Sequence, residues 1–243
     1  MNLPPAPPAL LAPADAARDP GAFAAYLEDQ GATGGCGTTS LAMVLSYWRG
    51  TPGWTSRQAL DRTCRRVDVG LTPGIVVRQA RRLGWRAAAA QARSVADLRP
   101  WLDAGAPVIL LIENGPRRGS GRLHFVVALA LKPDAAGRPA ALRLADPQGG
   151  TIRDMPLAEL AWRWRRLRAG AIATGLDRSF TVVLPAPATP VLGAGGQVRS
   201  SAALGLPAPA AFDWRVAAFE RYLGAANTFG PPLEVTGLRF WYW

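Results

Sequence analysis

The spacing of apolar residues changes character part-way along the chain, and that change limits the folds open to it. From Thr39 onward Leu41, Val44, Leu45 and Trp48 fall at i, i+3, i+4 and i+7, one face of an α-helix, and Gly50-Thr51-Pro52-Gly53 stops it. Further helices are predicted over Ser56 to Arg66, over Pro73 to Leu83 with Pro73 suited to a first turn, and over Val95 to Asp103, ending at Gly105. Beyond that glycine the helical period is lost. Pro107 to Ile112, Leu123 to Leu131 and Ala141 to Ala145 are short apolar or β-branched runs. The segments between them, 114–121 and 133–139, carry Gly, Pro, Asn or Asp in hairpin-like positions. Thr151 to Asp154 adds a strand, Leu157 to Leu167 a helix and Phe180 to Leu184 a last strand. A helical first half followed by an antiparallel sheet is an α+β architecture.

With 243 residues, about half of them apolar, the chain can bury one substantial core. Residues 1–20, rich in Pro and Ala without a sustained period, are expected to form an arm, and structure is expected to begin near Phe23. The main domain then spans 21–185. Residues 186–243 form a Pro- and Gly-rich linker, a short amphipathic helix through Val216, Phe219 and Leu223, and the aromatic end Phe240-Trp241-Tyr242-Trp243. So aromatic an end is expected to dock on the main domain, on a protein partner or on a second copy.

Lys and Arg outnumber Asp and Glu by 28 to 17, and Lys132 is the only lysine. An excess so dominated by arginine, in a chain rich in alanine, is read as a compositional bias spread over a solvated surface, so nucleic acid is not an expected partner. The apolar run 123–131 is far too short to span a bilayer, and the amino terminus has no positively charged segment leading into an apolar stretch. A cytoplasmic protein is expected, with export that needs no cleavable signal left open.

Two cysteines, Cys36 and Cys64, are too few for a disulfide framework and are read as free thiols. Cys64 sits in a helical pattern beside Arg65 and Arg66 and is assigned to structure. Cys36 lies at the start of the first helix, where unpaired backbone N–H groups favour a thiolate, and Gly34, Gly35 and Gly37 around it leave the backbone open to a substrate carbonyl. Gln30, six residues earlier, can fold back beside the thiol and donate to an oxyanion together with the backbone N–H of Cys36. His124, the single histidine, opens an apolar strand, and Asp146 ends the next strand candidate, where its carboxylate can accept from the imidazole. Each residue also has a plain structural counterpart: a small buried residue at a helix start, a solvated amide, a core histidine, a turn-initiating Asp-Pro.

Taken together, Gln30-x5-Cys36-Gly37-x-Thr39-Ser40-Leu41, then His124-Phe125-Val126-Val127-Ala128, then Asp146-Pro147-x-x-Gly150, resemble the bacterial C39-like cysteine peptidases from about Tyr26 to Leu184. Met155-Pro156-Leu157-Ala158-Glu159-Leu160 resembles the helix that follows the site in such enzymes. The resemblance implies a papain-like fold with Cys36 as nucleophile, His124 as general base and acid, Asp146 as its orienter and Gln30 as oxyanion-hole donor, acting on a peptide or protein substrate without cofactor or metal. The chain departs from the family pattern at Thr38, where the family usually has proline. The same trio in the same order also serves deamidases, amidases, transglutaminases and acyltransferases, some of them secreted effectors or toxins, because all pass through one thioester. A non-enzymatic alternative is an arginine-rich binding module on a peptidase fold.

Overall fold

The computed structural model describes residues 23–32, 35–56, 58–60, 71–115, 122–169, 172–173, 175–185, 190–192 and 198–200. The first long element is helix α1, Cys36–Arg49. The apolar face anticipated from its period is present, but burial extends around the whole helix, with every residue from Gly37 to Trp48 buried. Two large polar side chains drawn inside with it are satisfied: Tyr47 Oη donates to the Gly105 carbonyl at 2.9 Å and Trp48 Nε1 to the Val183 carbonyl at 2.7 Å. Helix α2, Pro73–Arg82, starts with Pro73 in its first turn and Thr72 as a cap, whose Oγ1 accepts from Ile75 N at 3.3 Å.

Strand β1, Arg86–Gln91, comes next. The amino-terminal half, expected to be helical throughout, also contributes this strand to the sheet. The run of four alanines in β1 is a good helix former with no period of its own, and pairing with a distant strand overrides that preference. A short 3-10 turn over Val95–Leu98 leads into helix α3, Arg99–Asp103. Strands β2 (Val108–Glu113), β3 (Leu123–Pro133), β4 (Pro139–Asp146) and β5 (Thr151–Pro156) follow as a meander. Helix α4, Leu157–Arg163, stops four residues short of the predicted Leu167, and Arg166 in the following turn has a positive φ of 53°. Two-residue strands β6 (Arg168–Ala169) and β7 (Ile172–Ala173) pair locally, and β8 is Ser179–Leu184.

The main sheet has the order β1-β8-β2-β3-β4-β5, and every neighbouring pair is antiparallel. Helices α1 and α2 pack on it, so the molecule is α+β as expected. Its centre is enclosed: all six residues of β2 and all six of β8 are buried, and α1 joins them in one core with Phe23, Leu98, Leu102 and Leu160. Short strands β9 (Pro190–Leu192) and β10 (Val198–Ser200) pair with each other.

Several expectations fall outside the described residues: the arm over 1–20, Gly34, Cys64 and most of the helix over 56–66, and the carboxy-terminal helix and aromatic end. Among the described residues no helix is long and apolar enough to cross a membrane.

Candidate active site

Three elements converge at one end of the sheet. Cys36 is the first residue of α1, preceded by Gly35, which offers no side chain to cap the helix. The Thr38 and Thr39 hydroxyls instead turn back to the Gly35 carbonyl at 3.0 and 2.8 Å, holding that first turn. The absence of a side chain at Gly37 serves packing. A Cβ there would sit 2.7 Å from Leu71 Cδ1 and 3.1 Å from Phe125 Cδ2, so glycine lets the helix start press against β3 beside His124. The sequence assigned this glycine to substrate access, and the close approach of helix to strand gives it a further purpose.

His124 stands on the second residue of β3, its neighbour Ile112 directly across on β2. It is 3% exposed, and its Nε2 lies 2.7 Å from Asp146 Oδ1 at the end of β4. An ionised carboxylate can only accept, so the imidazole donates from Nε2. Cys36 lies near enough to the same ring to be electrostatically coupled to it. With Nε2 committed to Asp146, Nδ1 is the ring nitrogen left for another partner. Desolvation disfavours the imidazolium, yet the bond to Asp146 and the coupling to Cys36 and Asp146 outweigh it and push the His124 pKa up to about 9. Burial likewise works against the Asp146 carboxylate. Its bond to His124, the backbone N–H of Gln148 and the charge of Arg153 prevail, holding its pKa below the ordinary carboxylate value.

Gln30, the fourth predicted residue, is buried in the loop before α1. Its backbone N–H donates to the Pro147 carbonyl at 2.8 Å, which fastens that loop to the turn directly after Asp146. Asp29 adds a second fastening, its Oδ1 accepting from Gly149 N at 3.0 Å and Gly31 N at 2.9 Å. These backbone bonds hold the Asp29 carboxyl below its ordinary pKa. Gly150 completes the joint: its φ is +58°, and a Cβ there would come within 3.4 Å of Asp29 N. A side chain would be strained by conformation and crowded by the loop.

Sequence reasoning missed the residues that brace this frame. Arg153 on β5 grips the outer oxygen of Asp146, with Nε at 3.1 Å and Nη2 at 3.0 Å from Oδ2. Asn114 Nδ2 donates to Gln148 Oε1 at 2.9 Å, tying the end of β2 to the Asp146 turn. Arg163 at the end of α4 donates through Nη1 to the carbonyls of Glu113 and Gly115, at 3.0 and 3.2 Å, while its Nε pairs with Glu159 at 2.6 Å. The signal for Arg153 was present in the hairpin itself. If Asp146 ends one strand and Thr151 begins the next, the residue two beyond Thr151 returns to the face of Asp146. Among the described residues no three His, Cys, Asp or Glu side chains gather as a metal site would require.

This arrangement sits within the stretch that matches a known family. The family model described as Peptidase_C39 like matches residues 24–172, more than half of the chain. The chain belongs to that family. Two solved structures resemble this C39-like chain in outline. One is the peptidase domain of Streptococcus ComA, a bi-functional ABC transporter involved in a quorum sensing pathway; it is 18% identical, with a TM-score of 0.47, over 66% of this chain and 98% of that one. The other is a putative C39-like peptidase from Bacillus anthracis, 16% identical, with a TM-score of 0.43, over 64% of this chain and 92% of that one. No curated protein matches the C39-like sequence significantly.

Proposed function

We propose that the protein is a cysteine peptidase that cleaves peptide bonds through a thioester formed on Cys36. The observation that carries this reading is the grouping of Cys36, His124 and Asp146, in which one imidazole is coupled to a part-exposed thiol and bonded to a buried carboxylate. His124 takes the thiol proton and Cys36 Sγ attacks the substrate carbonyl carbon. The resulting oxyanion is held by the Cys36 backbone N–H and the Gln30 side-chain amide. Collapse of that intermediate passes the proton from His124 to the leaving amine and leaves the acyl group on sulfur. Water, deprotonated by His124, then hydrolyses the thioester. Asp146 holds the imidazole through Nε2–H, which leaves Nδ1 for the sulfur, and stabilises the imidazolium that both half-reactions need. Family membership supports a peptide substrate.

A small electrophilic probe that captures activated thiolates, followed by mass spectrometry, tests the array. Cys36 is expected to label much faster than Cys64, and replacing His124 by Ala is expected to remove the advantage. Labelling of Cys36 at the rate of an ordinary thiol, unchanged in the His124→Ala protein, would overturn the reading. Peptide libraries then separate peptidase from deamidase: new amino termini support the proposal, whereas ammonia release without them contradicts it. The raised pKa of His124 also fixes the alkaline edge of turnover. The imidazolium that protonates the leaving amine persists to about pH 9, and activity is expected to fall as pH rises through that value.

A further inference from the structure

Arg153 has no role in the chemistry outlined above, yet it occupies half of the Asp146 carboxylate. Oδ1 accepts from His124 Nε2 at 2.7 Å and from the Gln148 backbone N–H at 3.0 Å, while Oδ2 accepts from both Nε and Nη2 of Arg153. The fork comes from the neighbouring strand: Asp146 is paired with Thr151, and Arg153, opposite Leu144, lies diagonally across on the same face. The guanidinium is therefore a fixed positive charge one carboxylate away from the imidazole. Among the described residues, the other titratable groups coupled to His124 are Cys36 on α1 and Asp146 itself. Glu113 on β2 follows Ile112, the partner of His124, and so alternates to the other face. Arg163 of α4 is engaged with Glu159 and with loop carbonyls, and Asp29 with the backbone of Gly31 and Gly149.

We infer that Arg153 is a positioning residue that tempers His124: by drawing on Oδ2 it keeps Asp146 ionised and aimed, and its charge restrains the basicity that Asp146 and Cys36 confer on the imidazole. The physical reason is a balance of two signs. A carboxylate bonded to a buried imidazole makes it reluctant to release a proton, and a like charge on the far side of that carboxylate offsets part of the effect. An imidazole must both accept and surrender a proton in each cycle, so excessive basicity slows the second transfer. Arg153 is placed to act on both members of the pair through Asp146, on which its Nε and Nη2 are spent. The side chain is 38% exposed, so water screens its charge and the effect is a moderate one.

This inference rests on the proposed function only for its catalytic meaning, because its test reads the imidazole directly. His124 is the only histidine in the chain, so isotope-labelled histidine in the full-length protein yields a single imidazole resonance that can be titrated. Arg153→Met is expected to raise the titration midpoint of His124 by roughly half a pH unit or more, about a threefold gain in proton affinity. Arg153→Gln, which keeps a donor without a charge, is expected to move with it, and Arg153→Lys to remain with the parent protein. Arg143→Met removes a cation from the opposite face of the same hairpin and is expected to leave the midpoint in place. An unchanged or lowered midpoint in both uncharged variants, or a shift in Arg153→Lys equal to theirs, overturns the inference. A parent protein that hydrolyses no peptide while the midpoint rises as stated defeats the peptidase reading and leaves the control of His124 by Arg153 standing. Hydrolysis with an unmoved midpoint does the reverse.

Discussion

The hairpin of β4 and β5 carries two arginine–aspartate pairs of nearly the same make. Asp146 and Arg153 meet at 3.0 Å on one face, and Arg143 and Asp154, directly opposed in register, meet at 2.7 Å on the other. Both are two-pronged: Arg143 Nε and Nη2 reach the two oxygens of Asp154 at 2.7 and 2.9 Å. In both, the partner arginine helps to hold the carboxyl pKa down, Arg143 being the largest influence on Asp154. They differ in what the carboxylate does with its remaining capacity. Asp154 is spent on its arginine at a 40% exposed position, whereas Asp146, 10% exposed, also holds the imidazole and the following turn. An ion pair gains consequence from the third group it serves.

Removing the carboxylates one at a time is the bluntest way to break this comparison. Asp146→Ala leaves a buried imidazole N–H without its acceptor and Arg153 without its counter-charge. Stability is expected to fall by about 3 kcal/mol. If the proposed chemistry holds, turnover falls by roughly a hundred- to ten-thousand-fold as well. Denaturant unfolding and peptide hydrolysis measure the two separately. A loss of stability with turnover intact would make Asp146 a structural anchor like its neighbour.

A milder separation comes from pH. The folded pKa of His124 is raised above its unfolded value, so its stabilising contribution is complete below about pH 6.5 and is lost as pH rises through about 9. For Asp146 and Asp154 the folded pKa is depressed, so their contributions are present above the ordinary carboxylate range and fade only as pH falls below it. Between pH 6 and pH 9.5 the denaturation midpoint is therefore expected to drop in the parent protein. In a His124→Gln variant the drop is expected to vanish, and in Asp154→Asn it is expected to persist. Equal pH dependence in all three would erase the distinction between the two pairs.

The smallest effect belongs to the outer pair. Arg143→Ala or Asp154→Asn is expected to cost about 1 kcal/mol or less, because water already competes for both groups, and to leave the reactivity of Cys36 unchanged. Restoring the pair with its charges exchanged, Arg143→Asp with Asp154→Arg, is expected to recover that loss. A large change in Cys36 labelling from either single variant would mean that the two faces of the hairpin are coupled.

The sequence exposed some of these parts more readily than others. Helix α1 was legible because Leu41, Val44, Leu45 and Trp48 repeat with the helical period and a glycine ends it. Cys36, His124 and Asp146 could be singled out because each is a chemically distinctive residue at the end of such an element. Strand β1 was hidden, since alanine reports neither face nor period and its identity as a strand depends on residues 179–184 across the sheet. Arg153 was hidden for a related reason. It is one arginine among many, and only the hairpin register separates it from a solvated surface charge. The packing of Leu71 and Phe125 against Gly37 was not legible, because it is a tertiary fact. Local patterns disclose elements and unusual side chains, whereas partners that arrive from elsewhere in the chain leave little local trace.

The position of β8 carries a consequence for how the molecule is made. That strand is inserted between β1 and β2, and its Val183 carbonyl receives Trp48 of α1. The meander β2 to β5 is contiguous in sequence and can assemble as it leaves the ribosome, bringing His124, Asp146 and Arg153 together early. The helix that bears Cys36 packs chiefly on β3, but its Trp48 gains the Val183 carbonyl only once β8 has emerged. The seat of the helix that carries the sulfur is thus completed late, by a strand that lies far from it in the chain.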